Sequence, residues 1–234
     1  MMKWRVLTLA FLPLLICCKK QQALETNVKS KPVDSTLTFY NVVILGNSIT
    51  YSPNNTAIGW FGNWGMAATM QDSDYVHILI NHFKVKNPNV QVKIKNIEPF
   101  EVDPLHYDLD AELGTLKAIK PDLVLIRIGE NVSADIDLQM FNERYTALIN
   151  YFKADNANVI VLGGGSIWGS VVDNVMIKHP PYVLLKSIVN DGSNFSLGLF
   201  ADAGVAAHPS DKGMRNIAAL LWDKIKILTP DDRK

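Results

Sequence analysis

Short hydrophobic runs alternate along the chain with longer segments in which apolar side chains recur at helical spacing. Four runs predict β-strands, at residues 39–45, 90–97, 123–128 and 159–162. Three of them are continuously apolar over most of their length, which is typical of strands buried on both faces. The run at 90–97 alternates apolar and polar residues and therefore predicts a strand nearer an edge of the sheet.

Helical periodicity occurs between and after these strands, at residues 74–83, 113–119, 138–152 and 211–227. Ser210 directly precedes the last of these segments and is placed to cap its N-terminus. Strands separated by helices need crossover connections, which predicts an α/β fold with a parallel sheet covered by helices on both faces. Ligands of such sheets bind beyond the carboxyl ends of the strands, so functional residues are expected directly after the strands.

The first 18 residues have the pattern of an export signal. Two basic residues precede an apolar stretch at 6–16, which is long enough for a signal peptide and short of the about 20 residues that span a bilayer. The stretch ends at Cys17-Cys18, which resembles the lipidation box of bacterial lipoproteins. We expect Cys18 to carry the lipid, because Cys17 suits the preceding small-residue position better than Ile16 would; Cys17 remains the alternative.

A polar segment without periodicity follows at residues 19–37 and predicts a flexible tether, after which residues 38–234 form one domain. A buried N-terminal helix is the alternative to a signal peptide. Pro13 and the abrupt polar change after Cys18 argue against that helix. The pattern therefore predicts an exported lipoprotein, periplasmic or on the cell surface, whose contact with the membrane is its lipid anchor alone.

Composition limits the chemistry that the domain can perform. The 234 residues include 23 basic and 23 acidic side chains, a net charge of +0 that argues against a nucleic-acid partner. A hydrophobic content of 48% excludes a disordered chain. Both cysteines lie within the first twenty residues, so the domain has no disulfide, thiolate nucleophile or cysteine metal site. We expect chemistry based on oxygen and nitrogen, with neither cofactor nor metal.

Polar residues follow two of the predicted strands, and a histidine lies near the end of the chain. Gly46-Asn47-Ser48 comes directly after the first strand, where a sharp turn would present the Ser48 hydroxyl at the edge of the sheet. Gly129-Glu130-Asn131 follows the strand at 123–128 and offers a side-chain amide at the same edge. His208-Pro209 precedes the final helix, where a loop can carry the imidazole back over Ser48.

These three segments, in this order, resemble the conserved blocks of the SGNH hydrolases, the GDSL-like lipase and acylhydrolase superfamily. The resemblance extends over residues 42–219 and implies a flavodoxin-like, three-layer α/β/α fold with acyl-ester hydrolysis. It also implies that Ser48 is the nucleophile and His208 the base. Asn131 and the backbone N–H of Ser48 would then donate to the oxyanion.

Two positions depart from the family pattern. The residue three before His208 is Val205, where the family has the Asp of its catalytic triad. Asp202 lies six residues before His208 and is the one nearby candidate for an acid, with a Ser-His pair lacking a carboxylate as the alternative. The segment at 96–101 contains no Gly where the family has an oxyanion donor, which leaves a backbone N–H near Glu101 as the candidate there.

Three tryptophans lie where they would flank the expected site. Trp60 and Trp64 follow the Ser48 loop, and Trp168 follows the strand at 159–162. They are candidates for an aromatic wall that binds a sugar or an acyl group. Packing of the helices onto the sheet explains them equally well.

We therefore predict a serine esterase that hydrolyses small acyl esters, with O-acetyl groups on carbohydrate as the expected substrate. A lysophospholipase or short-chain lipase is the alternative within enzymes, because a tethered domain has lipid esters within reach. A catalytically inactive, carbohydrate-binding lipoprotein of the same fold is the alternative outside enzymes, because the triad acid and one oxyanion glycine are missing.

Overall fold

The computed structural model describes Met1 and residues 37–233. Residues 2–36, which include Cys17, Cys18 and nearly all of the predicted signal peptide and tether, lie outside the described residues. The described part contains a five-stranded sheet of order β2-β1-β3-β4-β5 in which all neighbouring strands are parallel. Its strands are β1 (Asn41–Gly46), β2 (Gln91–Asn96), β3 (Leu123–Arg127), β4 (Ile160–Gly164) and β5 (Tyr182–Val183).

Four long helices and three short ones connect and cover the strands of the described region. The long helices are α1 (Tyr75–Lys86), α3 (Leu109–Ala118), α4 (Leu138–Lys153) and α7 (Asp211–Ile225). The short helices are α2 (Glu98–Val102), α5 (Asp173–Met176) and α6 (Ala203–Ala206). The predicted cap of α7 is confirmed, because the side chain of Ser210 accepts a hydrogen bond from the backbone N–H of Gly213.

The central strands bury side chains on both faces of the sheet, as their continuous apolar runs predict. In β1, Val42 and Ile44 point into a core shared with α1 and α7. Val43 and Leu45 point into a second core, shared with α3 and α4. The side chains alternate because successive residues of a strand face opposite sides. Helices therefore cover both faces of the sheet, and the predicted three-layer α/β/α arrangement is confirmed.

The order of the strands also agrees with the sequence. β2 lies at an edge and is only partly buried, as its alternating pattern predicts. The order β2-β1-β3-β4-β5 is the one found in flavodoxin-like folds, whose ligand sites lie where the strand order reverses, between β1 and β3. β5 was not predicted, because two residues are too few for a hydrophobic period.

The turn after β1 requires Gly46. A Cβ there would overlap the hydroxyl oxygen of Thr50 and lie 2.7 Å from the carbonyl oxygen of Arg127 on the neighbouring strand. Gly46 therefore lets the chain turn tightly against β3 and places the next residues at the carboxyl edge of the sheet. Over residues 37–233, no helix has both the length and the apolar character needed to cross a membrane.

Candidate active site

Ser48 and His208 form a hydrogen-bonded pair at the carboxyl edge of the sheet. Ser48 lies in the turn after β1 and is partly exposed, and His208 lies between α6 and α7. The Ser48 Oγ atom is 2.8 Å from Nε2 of His208. The fold thus brings two residues 160 positions apart into contact in the geometry needed for a nucleophile and its base.

The other ring nitrogen of His208 fixes the tautomer. Nδ1 lies 2.7 Å from the backbone carbonyl oxygen of Gly204, which can only accept a hydrogen bond. Nδ1 therefore carries the proton, and Nε2 of the neutral ring accepts from the Ser48 hydroxyl. A carbonyl dipole occupies the place that a carboxylate has in a catalytic triad.

Asp202, the candidate acid, has a different contact. Its side chain accepts from the backbone N–H of Val205 at 2.9 Å and caps the N-terminus of α6. Val205 itself is buried in a cluster with Trp60, Met66 and Ala67. Val205, which stands where the family has its triad acid, thus anchors α6. That helix in turn presents the carbonyl of Gly204 to His208.

Burial lowers the pKa of His208 below its ordinary value of 6.5. The nearby charge of Arg127 acts in the same direction. The carbonyl of Gly204 and the charges of Glu130 and Asp202 oppose these effects without cancelling them. The imidazole is therefore neutral at neutral pH, as a general base must be.

Asn47 is fully buried beneath Ser48 and connects three segments. Its amide nitrogen donates to Glu130 at 2.7 Å and to Glu101 at 3.2 Å. Its amide oxygen accepts from Arg127 at 2.8 Å and from the backbone N–H of Ile49 at 3.2 Å. Because an amide both donates and accepts, Asn47 can link a guanidinium to carboxylates while fixing the turn that carries Ser48.

Arg127 and Glu130 form a buried two-pronged ion pair at the end of β3. The two guanidinium nitrogens lie 2.8 and 2.9 Å from the two carboxylate oxygens, and the side chains are 0% and 4% exposed. Glu130 also accepts from the backbone N–H of Ile167, in the segment after β4, at 2.9 Å. Neither side chain was predicted to have a role, although a charge within the apolar strand at 123–128 is a detectable signal for Arg127.

Glu101 is a second fully buried carboxylate and lies on α2, in the segment that lacks the family's Gly. Its Oε1 accepts from the amide of Asn47 and from the backbone N–H of Gly129, and its Oε2 accepts from the amide of Asn131 at 2.7 Å. Burial and the neighbouring charge of Glu130 raise the pKa of Glu101 above the ordinary value, against the opposing effect of these hydrogen bonds and of Arg127.

Asn131, the predicted oxyanion donor, lies in the exposed segment after β3. One N–H of its side-chain amide is directed to Glu101, and the second N–H is not needed for that contact. Gly129 precedes it with φ of +131°, a conformation that L side chains rarely adopt. The chain therefore turns sharply after β3 and returns Asn131 towards α2.

Trp60 and Trp64 pack together in the Ser48 loop. Their rings meet edge to face at 5.7 Å, and Trp60 is only 3% exposed. Both indole N–H groups donate to backbone carbonyls of the same loop, those of Ser52 and Ala68. Both rings also line a pocket of about 260 Å³, together with Gly59, Phe61, Gly62, Ala68, Thr69 and Phe200.

Trp168 is 37% exposed and follows β4. Its ring stacks on that of Phe195 at 6.2 Å, with 15° between the ring planes. It lines a second pocket, of about 190 Å³, which shares Gly129 and Glu130 with the site. The remaining lining residues are Val132, Ala134, Ser166, Gly169, Ser170 and Val171.

Within the described ranges, no group of three or more His, Cys, Asp and Glu side chains is arranged to hold a metal ion. The described polar residues around Ser48 are joined to one another by hydrogen bonds and by one ion pair. The contact between Ser48 and His208 can activate a hydroxyl.

Comparison with known proteins shows the fold. No protein-family model matches the chain, and no curated protein matches it. Among solved structures, the chain is similar to a protein from Parabacteroides merdae described as a GDSL-like lipase, with 15% identity and a TM-score of 0.51 over 81% of this chain and 96% of that one. It is also similar to a carbohydrate esterase family 3 protein from Talaromyces cellulolyticus, with 16% identity and a TM-score of 0.51 over 81% of this chain and all of that one. The fold implied by the resemblance to SGNH hydrolases is thus confirmed.

Proposed function

We propose that this protein is a serine esterase in which Ser48 is the nucleophile and His208 the general base. The single observation that carries the proposal is the 2.8 Å contact between Ser48 Oγ and a His208 ring whose other nitrogen is already committed to Gly204. A hydroxyl is a weak nucleophile unless a base lies within hydrogen-bond reach. The shared fold with proteins described as a lipase and a carbohydrate esterase supports ester chemistry.

The first half of the reaction transfers the acyl group to Ser48. The oxygen of Ser48 attacks the ester carbonyl carbon while Nε2 of His208 takes the hydroxyl proton. The resulting tetrahedral intermediate carries its negative charge on the former carbonyl oxygen. It collapses when the bond to the alcohol oxygen breaks and the imidazolium returns the proton to that leaving oxygen, which leaves an acyl-Ser48 ester.

The second half releases the acid. Nε2 of His208 takes a proton from water, and the water oxygen attacks the acyl carbon. The bond to Ser48 Oγ breaks, and the imidazolium returns the proton to that oxygen. The carbonyl of Gly204 keeps Nδ1 protonated throughout, so that Nε2 is the nitrogen that moves the proton.

Asn131 and the backbone N–H of Ser48 are the proposed donors to the oxyanion. The second N–H of the Asn131 amide is the one available, since the first is held by Glu101. A donor that is already oriented in the resting enzyme lowers the barrier by roughly 3–4 kcal/mol, because it needs no reorganisation as the charge develops.

We propose O-acetyl groups on carbohydrate as the substrate. The pocket beside Gly129 and Glu130 combines the exposed face of Trp168 with the polar side chains of Ser166 and Ser170. Sugars present apolar ring faces and hydroxyl edges at once, so a mixed aromatic and polar pocket fits them. The similar structure from Talaromyces cellulolyticus is described as a carbohydrate esterase, which agrees with this choice.

A short-chain lipase or lysophospholipase is the second candidate. The pocket of about 260 Å³ in the Ser48 loop is lined almost entirely by apolar and aromatic side chains, and Phe61 there is 70% exposed. An apolar pocket favours an acyl chain over a sugar. The two pockets therefore point to different substrates.

Hydrolysis of a matched set of esters separates these candidates. We expect the purified wild-type domain to hydrolyse 4-nitrophenyl acetate faster than the butyrate and octanoate esters, and to release acetate from acetylated cellobiose. The Ser48→Ala variant should lack both activities. Trp168→Ala should raise KM for acetylated cellobiose and leave that for 4-nitrophenyl acetate unchanged. A preference for octanoate would favour the lipase, and an absence of Ser48-dependent turnover would favour the inactive binding protein.

We also propose that the chain is exported and anchored through a lipid on Cys18, with Cys17 as the alternative. The basic start, the short apolar stretch and the cysteine pair support this. An acetylated carbohydrate outside the cytoplasm would then be within reach of the domain.

A further inference from the structure

Glu101 occupies an unusual place for a carboxylate. It is fully buried on α2, and its three donors come from two other segments: Asn47 before the nucleophile, and Gly129 and Asn131 after β3. The mechanism above uses no proton or charge of Glu101. Its contacts nevertheless join the residue next to Ser48 to the residue that would donate to the oxyanion.

We propose that Glu101 is a positioning residue that holds the side-chain amide of Asn131 in the orientation required for oxyanion binding. The inference rests on the proposed esterase function and adds to it a residue that the resemblance to SGNH hydrolases does not supply. Asn131 is the group that would touch the substrate, and Glu101 acts through it.

The argument depends on what each group can donate and accept. An amide can rotate by 180° and exchange its NH₂ end for its oxygen with little change in shape. If the oxygen of Asn131 faced the substrate, it would repel the developing oxyanion. Both oxygens of Glu101 accept from N–H groups, Oε1 from Asn47 and Gly129 and Oε2 from Asn131. Glu101 therefore selects the orientation in which the NH₂ end of Asn131 points towards it at 2.7 Å, and the second N–H of that amide is not needed for the contact.

Stability is a poor explanation for this carboxylate. Burial and the charge of Glu130 raise its pKa, so the folded chain holds the ionised form less readily than the unfolded chain does. The folded state therefore loses stability as the pH rises from the unfolded-state pKa through the raised folded-state pKa. A glutamine of the same shape would avoid that loss, and so the charge at Glu101 fits a role in the site better than a role in folding.

The Glu101→Gln substitution tests whether Glu101 selects this orientation of the Asn131 amide. The Gln oxygen can keep the contacts with Gly129 and Asn47, but its NH₂ group would face Asn131 and require the Asn131 oxygen to turn towards it. We expect kcat for 4-nitrophenyl acetate to fall about 10²–10³-fold, to the level of Asn131→Ala, with KM within about threefold, because an oxyanion donor acts mainly in the transition state. The melting temperature should be unchanged or higher.

A double-mutant cycle with Asn131→Ala separates positioning from general disruption. Asn131→Ala should lower kcat about 10²–10³-fold in the wild-type background and less than about threefold in the Glu101→Gln background, because the donor is already lost there. Losses that multiply would show that Glu101 acts independently of Asn131 and would overturn the proposal. Glu143→Gln, at an exposed carboxylate on α4, is the matched control and should leave kcat unchanged.

A second measurement does not depend on turnover. In ¹⁵N-labelled protein, Glu101→Gln should move the side-chain amide signals of Asn131 and Asn47, and Glu143→Gln should not. Unmoved Asn131 signals would overturn the positioning role even if kcat fell. An enzyme without Ser48-dependent turnover would instead refute the esterase proposal itself, so the two failures are distinguishable.

Discussion

His208 works with a neutral acceptor on Nδ1, where a catalytic triad has a full negative charge. The carbonyl of Gly204 fixes the tautomer as well as a carboxylate would, but a dipole stabilises the imidazolium less. Because no carboxylate is bonded directly to the ring, the effect of burial dominates and lowers the pKa of His208. The ring is thus a weaker base that stays neutral to lower pH.

The pH dependence of kcat/KM should report this directly. Only neutral His208 can accept the proton of Ser48, so activity is lost as the pH falls through the pKa of His208 in the free enzyme. Because that pKa is lowered, we expect the acid limb of the profile to have its midpoint below about 6.5. A midpoint above 7 in a profile of kcat/KM for 4-nitrophenyl acetate would require a carboxylate that stabilises the imidazolium, and would contradict the arrangement described here.

The sequence located the more exposed candidate groups better than the buried ones. Ser48 and Asn131 directly follow strands, so their place at the carboxyl edge follows from the topology alone. The role of Glu101 was not predicted, because its three contacts are made with residues 28 to 54 positions away and depend on how α2 packs against two loops. The hydrogen bond that His208 donates to Gly204 could not be predicted either, because its acceptor is a main-chain carbonyl, which every residue type possesses.

The four-residue helix α6 is the element on which the histidine depends. It contains Gly204, it is capped by Asp202, and Val205 anchors it in the cluster that includes Trp60. So short a helix has little stability of its own, because few of its backbone groups have partners within the helix. Its cap and its two buried residues, Val205 and Ala206, therefore maintain the carbonyl that orients His208.

Two substitutions at Asp202 distinguish a cap from a catalytic acid. Asn caps helices about as well as Asp, so Asp202→Asn should change kcat less than about tenfold. Ala cannot cap, so Asp202→Ala should destabilise α6 by about 1 kcal/mol and lower kcat further than Asn does. The measurement is kcat for both variants beside their thermal unfolding. A loss near 10⁴-fold in Asp202→Asn would mean that the carboxylate serves as the triad acid, against the contact seen here.

At the level of elements, periodicity predicted the long helices and the four longer strands. It did not predict α2, α5, α6 or β5, because segments of two to five residues do not repeat a hydrophobic period. Two of these missed elements carry the groups that orient the site: α2 carries Glu101, and α6 carries Gly204. Failing to predict these short elements therefore had the largest effect on the description of the site.

Over residues 37–233, the parallel sheet gathers at one edge the segments that follow β1, β2, β3 and β4. The ion pair of Arg127 and Glu130 fastens the segments after β3 and β4 to Asn47, and Glu101 fastens the segment after β2 to the same residue. The turn that carries Ser48, the proposed nucleophile, is thus held by buried polar contacts on several sides. Such networks fix geometry through their satisfied members. Both terminal nitrogens of Arg127 are satisfied here, whereas its buried Nε has no hydrogen-bond partner among the described residues.

The expected lipid anchor is a property of the whole chain and can be tested without activity. Expressed in a bacterium with its first 37 residues intact, the protein should fractionate with membranes and begin at an acylated cysteine, Cys18 or Cys17, because a lipoprotein signal peptide is cleaved directly before the cysteine that carries the lipid. Mass spectrometry of the mature N-terminus measures this. An intact Met1, or a free N-terminus beyond Cys18, would contradict the lipoprotein interpretation.

The central claim is that Ser48 and His208 act as one catalytic unit, and a kinetic cycle on that pair tests it most directly. The measurement is kcat/KM for 4-nitrophenyl acetate with Ser48→Ala, His208→Ala and the double variant, with the exposed His106→Ala as control. We predict that each single change reduces activity to near background, that the double change costs no more, and that the control is unaffected. Activity that survives Ser48→Ala, or losses that multiply in the double variant, would contradict the account.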